Sequence, residues 1–425
     1  MHMTGPAERP DAIGGYEDWP AYMEANNAPG AGFQGSSPDA RLLARALGVP
    51  AVKEHLDYTV HQEVEHDGVA TSLLSWQTGF GPGTSAWLVR PAGASGPLPG
   101  ILALHCHGGI KSHGADRLVA LPGSLSALPD GGIMHDGGPA SANPPGPVPP
   151  GLRTRLYGGR ALATWLAQQG FAVLAHDAFM WGSRRFTLNP LPYRTARAVA
   201  GQEALWREAG VVPSPAERYN AAAAAHEETV AKAAALLGTT VAGTVAHDDL
   251  AAFQILAGLP GVDRDRLGCV GFSGGGGRAL ILAGLSPLVR SYVVTCMMTT
   301  FASLLPAYLD AHSWLLHSPG LRGLGEWPDI AVRSSAEAVL VQYALRDELF
   351  PEQGMRDAHQ YLSEHLPGRY TGSFWNESHV FSPAMQDEAA GFLAARLAVR
   401  PALRPETDPL HAARTQATQT FNRSR

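Results

Sequence analysis

The sequence predicts an α/β protein: a mostly parallel central sheet with helices on both faces, entered through N-terminal antiparallel strands and carrying a helical insertion. Three observations predict it. From Gly100 onward, short apolar runs of strand length alternate with helical patterns. Those runs are apolar throughout, as strands buried on both faces must be. The stretch before them, Tyr58 to Arg90, carries strand-forming residues around His66-Asp67-Gly68, a hairpin signal.

The elements follow in order. Residues 1–55 form an N-terminal extension rich in Pro, Gly and Asn, with helical patterns at Tyr16–Asn26 and Asp39–Leu47, expected to pack on the main domain or on a partner subunit. Strands are predicted at Tyr58–Glu65, Ala70–Trp76 and Ser85–Arg90, then at Gly100–His105, Phe171–His176, Arg266–Phe272, Ser291–Cys296, Ala338–Ala344 and Tyr370–Trp375. Helices are predicted at Ala161–Gln169, Val245–Ala257, Gly276–Gly284 and Pro383–Val399. Two segments break the rhythm. Half of residues 122–151 are Gly or Pro, which reads as an irregular surface excursion. Residues 186–237 contain an alanine-rich helix near Ala221–Leu237 and could cap a cleft. A polar tail follows, 401–425.

Composition narrows the function. The chain has 425 residues, 45% of them hydrophobic, ample for a large core. Its formal net charge is −6, only Lys53, Lys111 and Lys232 are lysines, and no basic stripe occurs, so a nucleic-acid reader is not expected. No apolar run approaches the length that spans a bilayer, and Met1 to Pro10 has no apolar signal core. Cys106, Cys269 and Cys296 are odd in number and sit in apolar runs, as reduced, packed thiols do. These features predict a soluble, cytoplasmic protein without a membrane partner; a homo-oligomer is compatible with them.

Chemistry concentrates at Gly271-Phe272-Ser273-Gly274-Gly275. This G-x-S-x-G follows an apolar strand and opens a helix, the sharp turn in which a nucleophilic serine is held with small neighbours. A serine hydroxyl needs a base, and the base needs an acid to fix its tautomer. In the order Ser, acid, His, the acid should end a later strand. Asp347, in the turn after Ala338–Ala344, is the expected acid, with neighbouring Glu348 as its competitor. Of 17 histidines, His379 lies between the last strand and last helix, where a side chain can reach back over the sheet edge, and is the expected base. An oxyanion needs two preorganised N–H donors. Gly274 supplies one by position, and Gly109 or Ile110, in His105-Cys106-His107-Gly108-Gly109-Ile110, is expected to supply the other. His105, His107 and His113 also admit a rival metal-hydrolase reading. Phe179 and Trp181 are candidate pocket-lining residues, while Asp177 and Arg184 read as a structural ion pair or turn.

Taken together, Leu102 to Gly109, Asp177 to Arg184, His247-Asp248-Asp249, Pro260 to Gly268, the serine turn, Asp347 and His379 resemble an α/β-hydrolase of the serine esterase type, close to dienelactone hydrolases and acetyl xylan esterases. The resemblance covers about residues 56–400. It departs from dienelactone hydrolases proper in having Ser273 where they use cysteine. It implies the α/β-hydrolase fold and cleavage of a small-molecule carboxylic ester or lactone through an acyl-enzyme, with no cofactor. A non-catalytic binding protein of the same fold is the alternative.

Overall fold

The computed structural model describes residues 10–27, 31–121, 148–149 and 151–397. Most of the expected excursion over 122–151, and the tail 401–425, lie outside the described residues. Among those described, nine strands form one sheet: β1 (Tyr58–His66), β2 (Val69–Trp76), β3 (Thr84–Pro91), β4 (Leu98–Leu104), β5 (Ala172–His176), β6 (Val262–Phe272), β7 (Ser291–Thr295), β8 (Ala338–Ala344) and β9 (Tyr370–Trp375). Their order across the sheet is β1-β2-β3-β5-β4-β6-β7-β8-β9. The first three are antiparallel, as is the β3–β5 pair; every pair from β5 to β9 is parallel. The expected hairpin is formed: Asp67 and Gly68 take φ of 49° and 77°, the left-handed pair a two-residue turn requires, and His66 pairs with Val69.

The helices are α1 (Trp19–Asn27), α2 (Pro38–Leu47), α3 (Leu152–Tyr157), α4 (Leu162–Gln168), α5 (Tyr193–Glu208), α6 (Pro215–Leu236), α7 (Val241–Gly258), α8 (Gly274–Leu285), α9 (Pro319–Arg322), α10 (Asp329–Arg333), α11 (Glu352–His365) and α12 (Pro383–Leu397). Side-chain alternation sends each strand's residues to two cores. Ile101, Ala103, Val270 and Phe272 face one core with α3, α4 and α12; Leu102, Leu104, Cys269 and Val294 face the other with α1, α2, α7, α8 and α11. Local chemistry sets the boundaries. Ser37 caps α2 with Pro38 in its first turn and left-handed Gly48 after its last. Ser214 and Glu217 form a capping box at α6.

Helix α5 has no counterpart among the predicted elements. It buries only Thr195 and Val199, so its sequence carries little apolar periodicity, and it is held by pairing with α6. The described part of the N-terminal stretch reaches into the core: Tyr16 and Trp19 are 0% exposed, with ring centroids each 5.1 Å from Phe179.

Chain order doubles back once. After β4 the chain adds β5 on one side, then crosses to add β6 on the other. The carboxyl ends of β4 and β6 therefore diverge into loops that face each other, the place where open α/β sheets bind ligands.

Because Trp19 is fully buried against Tyr16, Phe80 and Phe179, Trp19→Ala is expected to cost about 3–5 kcal/mol in urea unfolding. A loss below about 1 kcal/mol would mean that Trp19 does not anchor this segment in the core.

Candidate active site

Ser273 sits between β6 and α8 with φ 56° and ψ −128°, a backbone conformation that non-glycine residues rarely adopt. The surrounding glycines explain how the turn is tolerated. A Cβ on Gly271 would lie 2.0 Å from the Gly275 carbonyl oxygen, and one on Gly275 would lie 2.1 Å from the Leu104 carbonyl oxygen. Small residues there let strand, helix and the end of β4 meet. The Ser273 N–H donates to the Thr295 carbonyl at 2.8 Å, and the Gly276 and Gly277 N–H groups donate to the Ser273 carbonyl, which fixes the turn on both sides.

The structure brings Ser273, His379 and Asp347 together. The Ser273 Oγ is 2.8 Å from His379 Nε2, and His379 Nδ1 is 2.7 Å from Asp347 Oδ2. The other Asp347 oxygen accepts the Leu349 N–H at 2.9 Å, so the carboxylate is held at both ends. Asp347 is buried at 7% exposure, whereas Glu348 is exposed. The loops that carry acid and base are tied to each other: Leu345 N–H donates to the Trp375 carbonyl and Arg346 N–H to the Glu377 carbonyl, at 2.8 and 2.9 Å. The His379 ring lies against Phe272, with centroids 4.8 Å apart. Such a line of hydroxyl, imidazole and carboxylate can draw the proton from Oγ as the oxygen attacks an electrophile.

The N–H groups near Ser273 differ from expectation. Gly109 N–H donates to His107 Nδ1 at 3.1 Å, and Ile110 N–H to the His107 carbonyl at 3.4 Å, so both are engaged within their own loop. The amide beside the serine turn is that of His107, whose nitrogen is 3.1 Å from the position a Cβ on Gly274 would take. Neither the Gly274 nor the His107 N–H donates to any described residue. Sequence reasoning chose Gly109 or Ile110 because a His-Gly-Gly loop leaves its backbone free of crowding side chains; the end of β4, paired through Leu104 with Gly271, puts the His107 amide nearest the turn instead.

Phe179 does not line a pocket. It is 0% exposed inside the cluster of Tyr16, Trp19, Phe80 and Phe186, which the N-terminal segment completes. Trp181, 1% exposed, packs edge-on against His105 and His107 and supports their loop from below. Asp177 and Arg184 do not pair with each other. Asp177 accepts the Ala115 and Ser183 N–H groups, while Arg184 binds Asp248 and the Phe80 carbonyl.

The His105/His107/His113 set does not converge as metal ligands. His105 Nδ1 bonds the Cys106 carbonyl, His107 Nε2 bonds Glu227 at 3.1 Å, and His113 Nδ1 meets Ser112 Oγ. Among the described residues, the cluster of ligand type is Cys296, Asp347 and His379, within 4.8 Å of one another, and two of these belong to the line from Ser273.

Sequence reasoning also missed a buried ionic layer beneath the site. Arg278 of α8 binds Asp249 and donates to the His105 carbonyl at 3.1 Å, and Lys111 pairs with Glu227 of α6. Burial by itself would raise the Glu227 carboxyl, but the Lys111 charge and the His107 hydrogen bond hold it well below the usual range. Asp249 is likewise lowered against its burial by Arg278 and His176. Burial, then Arg278 and Arg117, hold His105 well below the ordinary imidazole value.

No protein-family model matches the chain, and no curated protein matches it. Among solved structures, the glucuronoyl esterase from Solibacter usitatus superposes with a TM-score of 0.54 at 14% identity, over 85% of this chain and 92% of that one. A second structure of glucuronoyl esterase from that organism gives 0.52 at 12% identity, over 92% and 99%. A Bacteroides fragilis protein provisionally described as an acetyl xylan esterase gives 0.52 at 13%, over 84% and 81%. These likenesses, with the strand order above, show that the chain has the α/β-hydrolase fold.

The lowered groups fix the sign of a pH effect. A histidine kept neutral by the fold contributes stability that is lost as pH falls through its unfolded value, about 6.5; carboxyls lowered in the fold lose theirs below about pH 4. The thermal midpoint is expected to decline from about pH 6.5 and more steeply below about pH 4. A midpoint that rises on acidification from neutral pH to pH 5 would contradict this assignment.

Proposed function

We propose that the chain is a serine hydrolase of carboxylic esters or lactones that works through an acyl-enzyme. The observation that carries the reading is the hydrogen-bonded line from Ser273 Oγ through His379 to Asp347, set at a strained strand-to-helix turn. The names of the neighbours that superpose, all esterases, favour an ester over an amide.

In this reading Ser273 Oγ attacks the carbonyl carbon while its proton passes to His379 Nε2. Asp347 accepts the Nδ1 proton in a hydrogen bond, which fixes the tautomer and stabilises the imidazolium. The carbonyl oxygen, now negative, lies between the amides of Gly274 and His107. Collapse of the tetrahedral adduct expels the alkoxide, which takes the proton from His379 and leaves as the alcohol. Water then repeats the sequence on the acyl-serine, giving the acid and restoring Ser273. Every proton has a carrier among these residues, so no cofactor enters the scheme.

A fluorophosphonate is expected to label the wild type at Ser273 and to leave Ser273→Ala unlabelled; labelling of that variant at an equal rate would remove Ser273 from its role. With p-nitrophenyl acetate, Asp347→Asn is expected to lower kcat by about three to four orders of magnitude with a smaller change in KM. Glu348→Gln, at an exposed position, should cost less than about 1 kcal/mol in transition-state stabilisation. An inactive Glu348 variant beside a near-normal Asp347 variant would move the acid by one residue.

A further inference from the structure

Two buried side chains stand behind the loop that follows β4. Arg117, 0% exposed, donates Nη1 to the Cys106 carbonyl at 3.0 Å, Nη2 to the Ile110 and His113 carbonyls, and Nε to the Gly114 carbonyl. His105, 1% exposed, is 3.0 Å from the same Cys106 carbonyl through its Nδ1. A carbonyl oxygen only accepts, so Nδ1 carries the proton. Nε2 of His105 has no hydrogen-bond partner among the described residues.

The Cys106 carbonyl and the His107 N–H belong to one peptide unit. In a trans peptide the two point in opposite directions, so a carbonyl fixed from behind aims the N–H forward. Forward here is the serine turn, where the His107 nitrogen faces the side-chain-free Gly274. The ring of the same residue is held as well, with Nδ1 accepting from Gly109 and Nε2 bonded to Glu227. A surface loop would ordinarily be free to turn this peptide over; here its carbonyl has two buried donors and its N–H none to lose.

We propose that His105 and Arg117 are positioning residues for the oxyanion site: by holding the Cys106 carbonyl they keep the His107 N–H directed at the reacting oxygen. The proposal rests on the serine hydrolase reading. It gives the His-x-His pair a division of labour unlike metal ligation, in which the first histidine holds the peptide whose N–H belongs to the second.

The test uses the second-order rate of labelling by a small fluorophosphonate, whose P=O oxygen enters the same position during attack and which needs no knowledge of the natural substrate. Asn places its Nδ2 donor where the Nδ1 of histidine stands; Gln places its donor where Nε2 stands. His105→Gln is expected to be labelled at least about tenfold more slowly, with the saturation constant little changed, while His105→Asn stays within about threefold of wild type. Thermal midpoints serve to confirm that both are folded. Equal rates for the two folded variants overturn the proposal. Should neither variant fold, the wild type decides it: with histidine-selective 15N labelling, the His107 amide proton should move downfield on phosphonylation, and an unmoved resonance overturns the proposal. A wild type that takes no label at all overturns the hydrolase reading and this inference together, an outcome distinct from labelling that ignores residue 105.

Discussion

The contact on which the rest depends is the approach of the first turn of α8 to the carboxyl end of β4. Gly275 stands where a Cβ would be 2.1 Å from the Leu104 carbonyl oxygen, and Gly271 where a Cβ would be 2.0 Å from the Gly275 carbonyl oxygen. No larger residue fits either place without moving backbone. That closeness decides what faces Ser273 from β4: the amide of His107 itself, not those of Gly109 and Ile110, two and three residues farther along. It also explains why Arg278, on α8, reaches the His105 carbonyl, so that helix and loop are joined by a buried guanidinium as well as by packing.

Much of the fold is legible in the sequence because its central strands β5, β7 and β8 are buried at every position. Ala338–Ala344 has its expected bounds because an apolar run between turn residues allows few other readings, and Tyr370–Trp375 because its β-forming Tyr, Thr, Phe and Trp follow the Pro367-Gly368 turn. The line Ser273, Asp347, His379 was equally readable, because chain order and strand ends leave few residues able to meet. What could not be read were placements set by partners distant in sequence. Phe179 follows a strand as a pocket residue would, and only Tyr16 and Trp19, from the far end of the chain, make it core. Which amide of the loop after β4 lies nearest Ser273 is unreadable for a related reason: glycine marks backbone freedom, while the direction of an N–H is set by what holds the carbonyl on its other side.

The charges beneath the site form a second framework. Asp248 and Asp249, adjacent on α7, diverge to different arginines: the first to Arg184, which grips the Phe80 carbonyl, the second to Arg278 on α8. All four side chains are buried at 3% exposure or less. Such pairs contribute little net stability compared with apolar packing, yet losing one partner strands a charge, so they penalise every arrangement but one. Lys111 and Glu227 extend this framework to the helical insertion, where α6 reaches the ring of His107.

The doubling back of the chain at β4 bears on how the molecule comes to exist at all. During synthesis β4 emerges with β5 available for one edge, but its other neighbour, β6, is made only after helices α3 to α7 have left the ribosome. Until then the central strand of the finished sheet is an unpaired apolar edge, open to any extended chain nearby. The segment that ends at the strained turn, Val262 to Ser273, is therefore also the one that closes this exposed edge. Nascent chains cut short before β6 should be the form of this protein most in need of a chaperone.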